Sequence, residues 1–372
     1  MSNQLDLICL SHLRWGFVFQ RPNHLMLRAA HERRVFFFEE PIFDSEQPRL
    51  AVSQAADNLY VTVPHLPPGM EGQALADQQR ALLNELCRTF DVESPLAWYY
   101  TPMALEYARH LPAALTVYDC MDELSAFHGA PPRLRELESE LFERAKLVFT
   151  GGESLYQAKK SRHPSVHAFP SSVDFAHFSR GREPLPEPED QVGLSYPRMG
   201  FYGVIDERMD LEIIERVARK HPEWQIVMLG PVVKIDQAKL PRLPNIHWLG
   251  QKSYEDLPRY LSGWHVALMP FAINESTRFI SPTKTLEYLA AGRPVVSTPI
   301  ADVVHPYGDR GLVRIAPADR FDIAIEEALS ESVSRRRPEV DDFLAQTSWD
   351  MTWSRMSTLV DEKLRTPTSK VA

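Results

Sequence analysis

The segment Phe279-Ile-Ser-Pro-Thr-Lys-Thr-Leu-Glu-Tyr-Leu-Ala-Ala-Gly-Arg-Pro-Val-Val-Ser-Thr298 sets a cation, Lys284, three residues before a carboxylate, Glu287. On a helix that spacing puts both on roughly one face. Ser281 stands at the expected N-cap, Pro282 at the first helical position, and Gly292 with Pro294 where the helix should stop. Free N–H groups and positive potential at a helix N-terminus attract phosphate, and Lys284 adds a full charge there. One turn deeper, an acceptor-only carboxylate at Glu287 suits the two hydroxyls of a ribose. Phosphate cation and ribose acceptor one turn apart describe a nucleoside-diphosphate site. The charge spacing alone also fits a surface ion pair worth about 0.2–0.5 kcal/mol.

These side chains need a scaffold, and the pattern around them supplies one. In the second half, short apolar runs at 199–205, 225–230, 245–250, 265–271, 294–298 and 311–315 alternate with helical periodicity at 211–220, 254–261, 282–291 and 321–329. That alternation predicts βαβ units and a parallel sheet. The first half repeats it, with strands expected at 5–10, 35–38, 59–63, 96–100, 115–118 and 147–150. Its helices are expected at 22–30, 74–90, 102–110, 132–145 and 154–160. Between the halves, Gly181-Arg-Glu-Pro-Leu-Pro-Glu-Pro-Glu-Asp-Gln191 has three prolines, acids and no apolar period, and reads as an exposed linker. The organisation expected is a first domain over 1–180, a linker over 181–195, a second domain over 196–345 and a closing segment over 346–372 that returns to the first domain. Two such domains facing each other make a cleft suited to small molecules.

Composition narrows the function. The 372 residues are 44% hydrophobic and 24% charged, which excludes a mostly disordered chain. Lys and Arg number 41 against 50 Asp and Glu, a net −9 that disfavours general nucleic-acid binding. Cys9, Cys87 and Cys120 are too few and too dispersed for a disulfide scaffold and fit a reducing cytoplasm. No basic stretch followed by a long apolar run opens the chain, so no signal peptide is expected. No apolar run approaches 18 residues, so any membrane contact would be peripheral. The chain lacks Asp-x-Asp, HExxH, paired CxxC, a P-loop, GxSxG and GxGxxG, which disfavours a metal-bridged diphosphate, a metalloprotease, an ATPase, a hydrolase and a dehydrogenase.

The 279–298 segment resembles the donor-binding helix and following strand of glycosyltransferases with the GT-B fold, and residues 199–315 resemble the donor domain of that fold. Within it, Ser-Pro-x-Lys-x-x-Glu-Tyr is similar to bacterial enzymes of cell-surface polysaccharide assembly, of the teichuronic-acid and xanthan glucuronosyltransferase type. The loop Ser11-His-Leu-Arg-Trp-Gly-Phe-Val-Phe-Gln-Arg-Pro22, the segment Ser171-Ser-Val-Asp-Phe-Ala-His-Phe178 and Ser348-Trp-Asp-Met-Thr-Trp353 extend the likeness. The resemblance implies an α/β fold of two Rossmann-like parallel-sheet domains. It implies transfer of a sugar from a nucleotide-diphosphate donor, a UDP-sugar, to a saccharide or lipid-linked acceptor, with no metal and no cofactor. By it Lys284 contacts the diphosphate and Glu287 the ribose. One departure stands out. Many relatives carry an acid eight residues before the ribose acid, where this chain has Phe279; the nearest earlier acid is Glu275. Retention of configuration is therefore not implied.

Other residues complete the expectation. Ser281, Lys284, Thr285 and Glu287 form the donor-binding set, with Gly203 for close backbone approach and Arg208 as a second phosphate cation in Gly200-Phe-Tyr-Gly-Val-Ile-Asp-Glu-Arg208. Asp206 and Glu207 are expected to cap the helix at Leu211. Inversion requires a base for the acceptor hydroxyl. Asp122, then Asp119, then Glu123 are the candidates at a strand end, where clustering should raise a pKa. Glu39 and Glu40 are rivals. Trp15, Gln20, Arg21 and Glu40 are placed on the acceptor side, though Arg21 before Pro22 also reads as a plain helix anchor. His12 and His24 are further bases by type. Asn274, Glu275, Thr277 and Arg278 lie before the donor helix. An epimerase of the same fold, or a non-catalytic nucleotide-sugar or glycan-binding protein, remains open.

Overall fold

The computed structural model describes residues 5–330 and 338–365. The described chain forms two compact units. One takes residues within Met1–Ser125, Gly129–Phe169 and Asp350–Ala372, the other Ala126–His128 and Pro170–Trp349.

The first unit is built on eight strands: β1 (Leu7–Leu10), β2 (Val35–Phe38), β3 (Arg49–Ala56), β4 (Leu59–His65), β5 (Leu96–Tyr99), β6 (Leu115–Cys120), β7 (Leu147–Thr150) and β8 (Val166–Ala168). Their order is β3-β4-β2-β1-β5-β6-β7-β8. All pairs are parallel except β3 with β4. Four-residue apolar runs such as Leu7–Leu10 and Val35–Phe38 are buried throughout, as strands covered on both faces require. Neither β3 nor β8 is among the expected strands. β3 is an edge strand with mostly exposed side chains, and β8 has three residues. The helix Trp349–Arg365 packs in this unit; Trp353 Nε1 donates to Glu32 Oε1 at 2.8 Å, and its ring lies 6.0 Å from that of Trp98. The end of the closing segment, 366–372, lies outside the described residues.

The second unit holds β9 (Arg198–Tyr202), β10 (Gln225–Leu229), β11 (Ile246–Gly250), β12 (Val266–Met269), β13 (Val295–Ser297) and β14 (Arg314–Ile315), ordered β11-β10-β9-β12-β13-β14 and parallel throughout. The helix Leu211–Lys220 buries Ile213, Ile214, Val217 and Ala218 against this sheet. Its N-cap is Asp210, whose carboxylate accepts from Ile213 N at 3.0 Å. This corrects the expectation for Asp206 and Glu207, which lie too far upstream to reach the first-turn N–H groups.

The linker expectation is also corrected. Residues 181–195 pack into the second unit, and the division falls at Phe169/Pro170 instead of 180. Gln191 is buried, donates to Tyr260 O at 3.1 Å and accepts from Trp264 Nε1 at 2.8 Å. Glu187 pairs with buried Arg198 at 2.7 Å, and Arg182 pairs with Asp341 at 2.5 Å. Prolines and acids suggested solvent because apolar periodicity cannot report a segment held by buried polar bonds.

Candidate nucleotide-binding site

In the second sheet β9 sits between β10 and β12, so the chain leaves β9 toward one edge and later returns to its other side. Such a reversal opens a crevice at the carboxyl ends of the strands, where open α/β sheets bind ligands. The loop after β9 carries Gly203, and the segment after β12 leads to Lys284.

Gly203 has φ +141°, in the region that favours glycine, and a Cβ there would overlap Lys284 Cε. The Lys284 side chain therefore lies across the Gly203 backbone. Gly230, at φ +136°, closes on Gly203 in turn, since a Cβ there would overlap the Gly203 carbonyl oxygen. Two glycines at adjacent strand ends thus let backbone and lysine share one small space.

The helix bearing Lys284 is Lys284–Ala290. Ser281 is not its N-cap; that place falls to Thr283, in helical conformation and without a side-chain bond. A tight turn, with Thr285 N–H to Pro282 O at 3.3 Å and Leu286 N–H to Thr283 O at 3.1 Å, delays the helix beyond Ser281. The Ser281 carbonyl instead accepts from Ser171 Oγ at 2.7 Å. Thr285 is corrected as well. It is fully buried, with its hydroxyl toward Met269 Sδ at 3.5 Å, so its side chain packs against the sheet instead of facing a donor. The far end behaves as expected. Gly292 N–H donates to Leu289 O and Arg293 N–H to Tyr288 O, a Schellman closure with Gly292 at φ +71°.

Glu287 is 6% exposed. Tyr202 Oη, from the last residue of β9, donates to Glu287 Oε2 at 2.5 Å. Tyr202 N–H in turn donates to Tyr288 Oη at 3.0 Å, which ties β9 to the helix. Burial pushes the Glu287 carboxyl above its ordinary value, against the opposing pull of the Lys284 charge and the Tyr202 hydrogen bond. Burial, with Glu287 beside it, pushes the Tyr202 phenol well up, so it stays a donor.

Arg208 is held by its own loop. Its guanidinium bonds both Asp206 oxygens at 2.7–3.1 Å, and its backbone N–H donates to Asp206 Oδ1 at 3.0 Å. The guanidinium lies 5.4 Å from the centre of the Phe127 ring, with Lys234 Nζ at 5.8 Å from the same ring. Asn274 and Thr277 close their loop internally: Asn274 Oδ1 accepts from Ser276 N at 3.0 Å, and Thr277 Oγ1 donates to Ala272 O at 2.6 Å. Glu275 and Arg278 form an exposed pair at 3.7 Å, and Arg278 covers Phe279 at 5.1 Å.

In the first unit the structure moves Asp119 and Arg21 from site to scaffold. Asp119 is 0% and Arg21 3% exposed. The guanidinium takes both carboxylate oxygens at 2.9–3.2 Å and donates to Phe169 O at 2.7 Å. A carboxylate so enclosed cannot meet an acceptor hydroxyl. Glu123 is paired as well. Burial raises its carboxyl, but the hydrogen bond from Lys159 at 2.6 Å, the lysine charge and Ser125 outweigh it and hold it below its ordinary value. Asp122 is half-buried, with the Cys120 thiol 3.6 Å from its carbonyl.

Glu39 is buried, pairs with Arg14 at 3.0 Å and accepts from Trp15 N–H at 2.7 Å. Arg14 also reaches the carbonyls of Glu40 and Pro41, whereas Glu40 itself is exposed. The Trp15 ring meets Phe37 edge-on at 5.1 Å, and Gln20 N–H donates to Asn23 Oδ1 at 3.0 Å. Trp15 and Gln20 therefore brace the loop after β1 while staying half-buried. His24 is buried edge-on to Phe19 at 4.7 Å.

Sequence reasoning passed over Tyr202, Phe127 and Lys234. Only Tyr202 carried a signal, its place beside Gly203 at a strand end. Among the described residues no group of three or more His, Cys, Asp or Glu is placed to hold a metal ion, and no helix is long and apolar enough to cross a membrane.

Residues 198–331 match the family described as glycosyl transferases group 1. The chain is similar to a Bacillus subtilis (strain 168) protein named for teichuronic acid biosynthesis, the glycosyltransferase TuaH, at 25% identity over 250 residues. That match takes in 62% of this chain, and the chain spans 62% of the relative's length. Among solved structures it resembles sucrose-phosphate synthase of Thermosynechococcus elongatus, with TM-score 0.74, 14% identity and coverage of 96% of this chain and 99% of that one. An E. coli trehalose-6-phosphate structure bound with UDP-2-fluoro glucose gives TM-score 0.72 at 12% identity, covering 97% and 99%. Residues 198–331 thus match a group 1 glycosyl transferase model, within a chain that has the GT-B fold.

Proposed function

We propose that the chain transfers a sugar from a UDP-sugar to a hydroxyl of a saccharide or lipid-linked acceptor, in the assembly of a cell-surface polysaccharide. The observation that carries this reading is Lys284 laid across the Gly203 backbone at the sheet's reversal point, with Glu287 buried one turn on. Charge develops on the diphosphate as the glycosidic bond breaks. A fixed ammonium in a confined space stabilises that charge without reorganising, and in this reading it does so in place of a metal ion. Arg208, pre-aligned by Asp206, supplies a second cation. Glu287 accepts ribose hydroxyls and sets the register of the donor. Asp122, half-buried just beyond the end of β6, is assigned the acceptor's proton. The name of the Bacillus relative supports a polysaccharide acceptor, and the UDP-sugar analogue bound in the E. coli neighbour supports the donor class.

The test is release of UDP from a panel of UDP-sugars, with and without saccharide and lipid-linked acceptors. Lys284→Ala and Glu287→Ala should each lower donor-limited kcat/KM by about ten- to hundred-fold, the loss of one charge-assisted hydrogen bond, with unchanged circular dichroism. Full activity in both variants would overturn the assignment, and sugar interconversion without acceptor would show an epimerase instead.

A further inference from the structure

The Tyr202–Glu287 bond is not needed to fold a helix onto a strand, because Tyr202 N–H to Tyr288 Oη already makes that tie. The second bond acts on the carboxylate. Among the described residues Glu287 has no arginine partner, and it sits on the helix that carries Lys284. A buried carboxylate with one partner can rotate or take up a proton. A phenol fixed on β9 at 2.5 Å prevents the rotation and favours the ionised form. It also occupies Oε2. Oε1 takes no protein hydrogen bond among the described residues and is left to accept from a ligand. The Tyr202 ring is itself held, edge-on to Tyr288 at 5.0 Å and stacked on Phe178 at 6.3 Å, so its hydroxyl has little freedom to leave.

We infer that Tyr202 is the positioning residue of ribose recognition: its hydroxyl orients Glu287 so that Oε1 meets the ribose hydroxyls, making the site selective for ribonucleoside over 2′-deoxyribonucleoside diphosphates. This rests on the nucleotide site proposed above. Tyr202 acts through Glu287 and touches no reacting atom.

Tyr202→Phe removes one oxygen from a residue that is otherwise packed, so the fold should survive. Titrating UDP and 2′-deoxy-UDP into the wild-type protein by calorimetry gives the discrimination ratio. In Tyr202→Phe that ratio should fall by about three- to tenfold, the worth of one oriented hydrogen bond, with 2′-deoxy-UDP affinity nearly unchanged. A second readout is pH. The titratable groups facing Glu287 are Lys284 and Tyr288 on its own helix and Tyr202 on β9, and Tyr202 in turn faces Tyr288 and Tyr254. Removing the phenol withdraws an interaction that favours the carboxylate, so the acid limb of UDP binding should move to higher pH. Tyr288→Phe serves as the structural control, because it removes the bond from the Tyr202 N–H but keeps the Tyr202 hydroxyl on Glu287, and it should leave the ratio in place. A wild-type protein that discriminates equally well after Tyr202→Phe overturns the role of Tyr202 alone. A wild-type protein that ignores the 2′-hydroxyl, or binds no UDP, overturns the nucleotide site with it.

Discussion

Glu287 is an acid that the fold tolerates at a cost. Its folded pKa lies above the unfolded value because burial outweighs Lys284 and Tyr202. With a folded value above the unfolded one, the protonated form favours the fold. The stability from this group is fully present below the unfolded pKa of about 4.3 and is lost as pH rises through the folded value. At neutral pH, Glu287→Gln should therefore raise the melting temperature of the ligand-free protein, by a few degrees if the gain is about 1 kcal/mol, while weakening UDP binding. A melting curve at two pH values checks this: the gain should shrink toward pH 4, and a gain that grows on acidification would contradict the assigned direction. The placement of Lys284 and Glu287 on one short helix was legible because cation and acid sit three residues apart before a well-marked helix stop. Tyr202 was not, because its partner lies 85 positions along the chain and no local period reports such a bond.

At the scale of elements, the helix after β12 starts later than its serine and proline suggest. A turn needs no side-chain cap, and Ser281 is engaged through its carbonyl by Ser171. The helix Arg21–Ala30 shows the opposite case. Its first residue is an anchor that ties the helix start to β6 through Asp119 and to the end of β8 through Phe169 O. Arg21→Met leaves a fully buried carboxylate without its cation and should cost roughly 3–5 kcal/mol, the usual penalty for breaking such a pair. Arg21→Met with Asp119→Leu removes both charges and should recover much of it. Urea midpoints of the single and double variants decide this, and a single variant as stable as wild type would return Arg21 to the acceptor side. Charge type alone did not separate anchor from site, since Arg-Pro at a helix start reads the same in both.

Across the whole molecule, the alternation of apolar runs and helical periods located every parallel strand but β8, because strands buried on both faces are largely apolar. It overlooked β3, whose exposed side chains carry no such run, and β8, which is too short to show a period. It also misjudged 181–195, where buried Gln191 and the Glu187–Arg198 pair stand in for an apolar face. The strand order, invisible in the sequence, is what brings the Gly203 loop and Lys284 together at one reversal point. The most direct measurement is a calorimetric comparison of UDP with uridine on wild type and Lys284→Ala. The account expects wild type to prefer UDP, and the variant to lose about ten- to hundred-fold of UDP affinity while binding uridine as before. UDP affinity unchanged by the loss of Lys284, or no preference for UDP in the wild type, would contradict it.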